Sequence, residues 1–180
     1  MNLSQYLAHA KAAETTAVYP ADYTQYLTIN AQRFNRIYNH FECSEAFLSF
    51  AENVKTETEW VILTEPWCGD AAQNLPVLIR LIEKIANARY TLQLRDTDSE
   101  IENYLTNGGK AIPKVIVRNV AAEDLFTWGP RPEKAQALFW ALKNGGKTMA
   151  EMHEGLHKWY ADDKGASLEA ELLSLIRPLL

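Results

Sequence analysis

Apolar side chains recur at helical spacing through the first third of the chain. Between Asp22 and Phe41 they fall at Tyr23, Tyr26, Leu27, Phe34, Ile37, Tyr38 and Phe41, which predicts one long helix over 21–40. A weaker helical segment over 4–14 precedes it and ends near Tyr19-Pro20, and Ser44 stands where it can cap a short helix carrying Phe47, Leu48 and Phe50. At Trp60 the period changes. Trp60-Val61-Ile62-Leu63-Thr64 is an unbroken apolar run of the kind that forms a strand buried on both faces, and Glu65-Pro66-Trp67 ends it. Residues 69–86 then read as a helix with Leu75, Leu78, Ile79, Ile82 and Ile85 inward. An alternating strand over 90–95 follows, and next a helix over about 98–105, closed by Asn107-Gly108-Gly109.

Two further strands, 114–118 and 124–128, are separated by only a few residues and read as an antiparallel hairpin. A helix over 131–143 is stopped by Gly145-Gly146, Thr148 with Glu151 three residues later forms a capping box that opens a helix to about residue 160, and a last helix covers 167–176. The pattern predicts an α/β fold: a central mixed sheet of about four strands, flanked by helices and carrying extra helices at both termini. With no repeat, low-complexity tract or long linker, residues 1–180 read as one domain, with its core at about 58–146, a helical N-terminal extension over 1–56 and a helical C-terminal extension over 147–180.

Composition narrows the function classes. The chain has 180 residues, 47% of them hydrophobic and 23% charged, enough for one core to bury most of its apolar surface. A net charge of −5 without a dense Lys/Arg cluster argues against nucleic acid or an anionic membrane as partner. No run approaches the length of a membrane span, and the first residues lack a basic region followed by an apolar one, so the expected location is the cytoplasm. Two cysteines, Cys43 and Cys68, are too few for a disulfide scaffold, and a reducing compartment keeps such thiols free.

Cys68 falls where a buried strand turns into a helix, so unpaired N–H groups and the positive end of the helix dipole favour its thiolate. Cys43, in a helical stretch near Phe41, reads as a small buried hydrophobe. Trp67-Cys68-Gly69-Asp70 resembles the Trp-Cys-Gly-Pro-Cys turn of the thioredoxin superfamily. Pro76, eight residues after the cysteine, matches the proline of that family's helix, and Ile112-Pro113, before a strand, matches its cis-proline. The element order over 60–144 is also that of the family. The Trp-Cys-Gly-Asp form, Trp128-Gly129-Pro130-Arg131-Pro132 and the terminal helices are similar to a bacterial branch of thioredoxin-like proteins.

The resemblance implies a thioredoxin-like fold with Cys68 as nucleophile, Trp67 shielding it, and Gly69 and Asp70 opening the helix. Ile112 and Pro113 are then the edge on which a substrate peptide is laid. It also exposes departures. The second cysteine of dithiol members corresponds to Ala71, and the buried carboxylate six residues before the nucleophile corresponds to Ile62, so the ordinary dithiol cycle is excluded. What remains is monothiol exchange with a protein or small-molecule thiol or disulfide. It uses no cofactor beyond glutathione or another small thiol that could resolve the adduct, with Arg131 as candidate carboxylate holder. On this reading the Cys68 pKa lies below the ordinary thiol value of about 8.5. The alternative is a redox-inactive binding or scaffold module on the same fold. A peroxidase is disfavoured, since Glu65 occupies the position where peroxiredoxins carry threonine.

His153-Glu154-Gly155-Leu156-His157 matches the His-Glu-x-x-His pattern of zinc peptidases, with Glu169 or Glu171 as conceivable third ligand. Gly155 in mid-helix and the absence of a separate catalytic domain argue against it. The histidines read as an incidental exposed pair, with no metal expected, on a helix docked through Met152, Leu156, Trp159 and Tyr160.

Overall fold

The computed structural model describes residues 1–97 and 99–179. Four helices, α1 (Leu3–Ala13), α2 (Ala21–Thr24), α3 (Leu27–His40) and α4 (Glu45–Ala51), lead into β1 (Thr58–Thr64), α5 (Gly69–Ile82) and β2 (Ala88–Leu94). The hairpin strands β3 (Lys114–Arg118) and β4 (Asp124–Trp128) follow, then α6 (Glu133–Asn144), α7 (Met149–Asp163) and α8 (Ala166–Ile176).

The sheet order is β2-β1-β3-β4, with β1 parallel to β2 and antiparallel to β3. The mixed sheet follows from chain connectivity: α5 returns β2 parallel to β1, whereas the short β3–β4 loop permits only an antiparallel pair. The apolar run of β1 lies inside, and every residue of it except Glu59 is buried. Leu75, Leu78, Ile79 and Ile82 of α5 join a core that extends from Tyr6 of α1 through β1 and β3 to Leu168, Leu172 and Ile176 of α8. The terminal helices thus share the apolar core of the sheet.

The structure departs from the periodicity at several places; α5 ends at Ile82 rather than 86, and Cys43 lies between α3 and α4 rather than in a helix. The long helix over 21–40 is broken at Gln25-Tyr26, where Tyr26 N–H bonds to Tyr23 O, three residues back. Tyr23 turns outward to stack on Trp67 while Leu27 and Asn30 point in, so the apolar spacing runs across a break that it cannot reveal. The helix predicted over 98–105 is a single 3₁₀ turn at Ile101–Asn103, its Ile101 buried. The part of that prediction that falls on Asp98 lies outside the described residues. The next helix begins at Glu133 rather than 131, because a residue preceding proline disfavours the α conformation, and Pro132 occupies the N-cap. Gly155 fits its mid-helix position: a Cβ there would lie 2.9 Å from Leu142 Cδ1, so its absence lets α7 approach α6.

Candidate functional site

The turn after β1 delivers Cys68 to the N-cap of α5, in extended backbone with φ −78° and ψ 121°. Its Sγ accepts from the Ala71 N–H at 3.4 Å and donates to the Ile112 carbonyl, also at 3.4 Å. The Ile112–Pro113 peptide bond is cis, and so is Gly129–Pro130. These two prolyl segments are stacked, because Gly129 has φ +109° and a Cβ on it would meet the Pro113 oxygen at 2.2 Å. Only glycine fits there. The backbone around the thiol therefore comes from three separated segments: the β1–α5 turn, the residues before β3, and the loop after β4.

This geometry raises the Cys68 pKa instead of depressing it. Cys68 is only 9% exposed. Burial and then the Asp70 carboxylate disfavour the thiolate, and the Ala71 and Asp70 N–H groups and the Arg131 charge only partly oppose them, so the thiol is pushed up to about 12. The helix N-terminus is present, but desolvation and a like charge outweigh it.

Asp70 and Arg131, expected separately, form a partly buried ion pair at 2.6 Å. Tyr160 of α7 donates to Asp70 Oδ1 at 2.8 Å, and Asn74 donates to the Tyr160 oxygen at 3.0 Å. Arg131 also donates to Gln136 at 3.1 Å and lies 4.3 Å from the Phe139 ring centre. Its charge is thus already matched by a carboxylate of this chain. Trp67 is half-buried between the Tyr23 ring, stacked at 4.2 Å, and the Arg95 guanidinium at 4.6 Å from its ring centre. Gly69 leaves room for His157, whose Cε1 would be 3.5 Å from a Cβ on it.

His157 is therefore not an exposed, incidental residue. It is half-buried beside the start of α5, its Nδ1 is 3.2 Å from Gln73 Nε2, and burial with the nearby Arg33 charge pushes its pKa down to about 4. His153 is exposed, its ring 6.5 Å from that of His157. Glu169 accepts from Ser44, and Glu171 accepts from the Trp128 indole and the Glu133 N–H, each at 2.7 Å. Both suggested third ligands are thus committed to other groups, and among the described residues no set of three His, Cys, Asp or Glu is placed to hold a metal ion.

Sequence reading also missed a buried carboxylate. Ile62 is fully buried and apolar, but Glu65, three residues before Cys68, has no exposed surface. It accepts from the Tyr19 hydroxyl at 2.7 Å and from the Asp96 N–H at 2.9 Å, and burial raises its pKa. Cys43 donates to the Arg80 carbonyl at 3.7 Å, twelve residues along α5 from Cys68. At 1.5 Å rise per residue that is about 18 Å, beyond the reach of a disulfide.

Among the described residues no helix is long and apolar enough to cross a membrane. No curated protein matches the chain. Among solved structures it is similar to a Pseudomonas aeruginosa protein of unknown function, with a TM-score of 0.61, 16% identity, and coverage of 99% of this chain and 93% of that one. It is also similar to an HIV epitope-scaffold, with a TM-score of 0.61, 15% identity, and 98% and 92% coverage. At such identity these structures speak for the fold alone. The sequence model of the family described as thioredoxin matches residues 17–151, well over half of the chain. With a mixed four-stranded sheet, a cysteine at the N-cap of α5 and a cis-proline beside it, the chain belongs to the thioredoxin family.

Proposed function

We propose that this chain is a monothiol thiol–disulfide exchange protein of the Trp-Cys-Gly-Asp type, acting in a reducing compartment such as the cytoplasm. The observation that carries this reading is the position of the Cys68 sulfur, between the Ala71 N–H and the carbonyl that precedes cis-Pro113. Attack by Cys68 on a disulfide forms one S–S bond and breaks another: the sulfur's electron pair enters the mixed disulfide, the departing thiolate takes the pair of the broken bond, and the Cys68 proton passes to solvent or to that thiolate. Ala71 offers no resolving sulfur, so an external thiol such as glutathione must attack the adduct.

In the free protein the S–H donates to the Ile112 carbonyl. A substrate N–H that takes that carbonyl removes this one contact, while burial and Asp70 continue to disfavour the thiolate. Trp67, Gly69 and Asp70 border the thiol on one side, Ile112 and Pro113 on the other, and Arg131 holds Asp70.

The same burial favours a second reading, a binding module that keeps the fold without the exchange chemistry. Mixed-disulfide formation by Cys43→Ser protein with oxidised glutathione, followed by intact mass, separates the two. Exchange predicts one glutathione added at Cys68 and its removal by reduced glutathione. Absence of the adduct over a day at neutral pH would sink the exchange reading.

A further inference from the structure

Lys114 directly follows cis-Pro113, and sequence patterning gave it no role beyond membership of a strand. In the fold it is only 9% exposed. Lysine is rarely buried to this degree without a carboxylate, because an ammonium taken out of water loses hydration that only an anion or several acceptors can replace. Here neither is provided. Among the described residues the Lys114 side chain forms no ion pair, and its one side-chain hydrogen bond is a long 3.4 Å contact from Nζ to Thr106 Oγ1. Burial lowers its pKa, and no neighbouring acid offsets that effect.

Lys114 lines a cleft of about 490 Å³, whose wall also includes Thr106, Thr127, Trp128, Arg131 and Gln136. Arg131 has an unmet donor as well: its Nη atoms serve Asp70 and Gln136, but its Nε–H is buried and has no partner. The acids of the cleft are otherwise engaged or exposed. Glu171 has both oxygens occupied by the Trp128 indole and the Glu133 N–H, and Glu133 faces solvent. The cleft therefore combines room for a small ligand with a buried cation that has no carboxylate partner. It begins two residues from the Ile112 carbonyl that holds the Cys68 thiol.

We propose that this cleft is a carboxylate subsite of the exchange site, with Lys114 as the cation that anchors an anionic group on the disulfide or thiol whose sulfur meets Cys68. The inference rests on the exchange reading and adds to it a substrate class, carboxylate-bearing disulfides and thiols. Lys114 acts on where the partner lies and not on the sulfur itself, so it is a positioning residue.

The test uses full-length protein in a Cys43→Ser background and two aryl disulfides, dianionic dithiobis(nitrobenzoate) and neutral dithiodipyridine. Lys114→Met should slow Cys68 modification by the dianion about tenfold, the equivalent of one charge-assisted contact, and change the rate with the neutral reagent less than about twofold. Lys114→Arg should keep the preference. Millimolar succinate should slow the dianion alone in the Cys43→Ser protein, a readout that needs no change at Lys114. Equal slowing of both reagents, or of neither, in Lys114→Met overturns the subsite while leaving exchange intact, and so does succinate without effect. If neither reagent modifies Cys68, exchange itself fails. Thermal stabilisation by succinate, lost in Lys114→Met or absent altogether, then upholds or overturns the anion site independently.

Discussion

A β-carbon added at Gly129 would lie 2.2 Å from the Pro113 oxygen, on a backbone whose φ of +109° already disfavours any L side chain. Both penalties act on the segment that backs the Cys68 thiol, so Gly129→Ala should destabilise by about 2–4 kcal/mol in urea unfolding. A loss below about 1 kcal/mol would show that the two prolyl segments are not stacked this closely. His157 carries a pH dependence at the same scale. Its folded pKa of about 4 lies below the ordinary value of about 6.5, so the unfolded chain binds the extra proton first. The stability linked to the neutral ring is complete above pH ~6.5 and is lost as pH falls through about 4. His157→Gln should therefore flatten the decline of stability over that window, by about 1–2 kcal/mol after allowance for a ring that is only partly buried. Parallel pH profiles of the two proteins would contradict this assignment.

At the scale of elements, the β1–α5 turn is tied by polar contacts to the loop before α2 and to α3. Tyr19 donates to Glu65, and Asn30 donates to the Pro66 carbonyl. Tyr19→Phe removes one of the two donors that Glu65 holds and should cost about 1–3 kcal/mol, with faster amide exchange at Asp96, the other donor to that carboxylate. Exchange at Asp96 unchanged would mean that the two bonds are not coupled. Such links also explain what the sequence revealed. The strands and α5 were legible because burial on a sheet or along one helix face repeats with a fixed period. Cys68, Asp70, Ile112-Pro113 and Arg131 were legible as parts of a motif. The contacts that set the chemistry cross between elements: Asp70 with Arg131 and Tyr160, His157 against Gly69, Glu65 with Tyr19. No local spacing encodes these pairings. His153 and His157 read as an exposed pair, whereas their helix brings one ring beside Gly69 at the start of α5 and leaves the other exposed. The helix N-terminus favours the Cys68 thiolate locally, but burial, which no local pattern reveals, outweighs it together with Asp70.

At the scale of the whole molecule, the added helices belong to the core that supports the site. Leu168 and Leu172 of α8 have no exposed surface and pack in the same cluster as Ile62 of β1 and Leu75 of α5, while Tyr160 of α7 carries a hydrogen bond to Asp70. If residues 1–180 are one cooperative unit, a cavity at the periphery must be felt at the thiol. Leu168→Ala should cost about 2–5 kcal/mol, as for other fully buried leucines. Loss of helix by circular dichroism and exposure of Cys68 to alkylation should then move together to lower denaturant, with one shared midpoint. Alkylation of Cys68 in a Cys43→Ser background reports on the N-terminus of α5, far along the chain from the mutated residue. An early helical transition with Cys68 still protected would instead mean that α8 detaches alone, and that the sheet with α5 keeps the site closed without it.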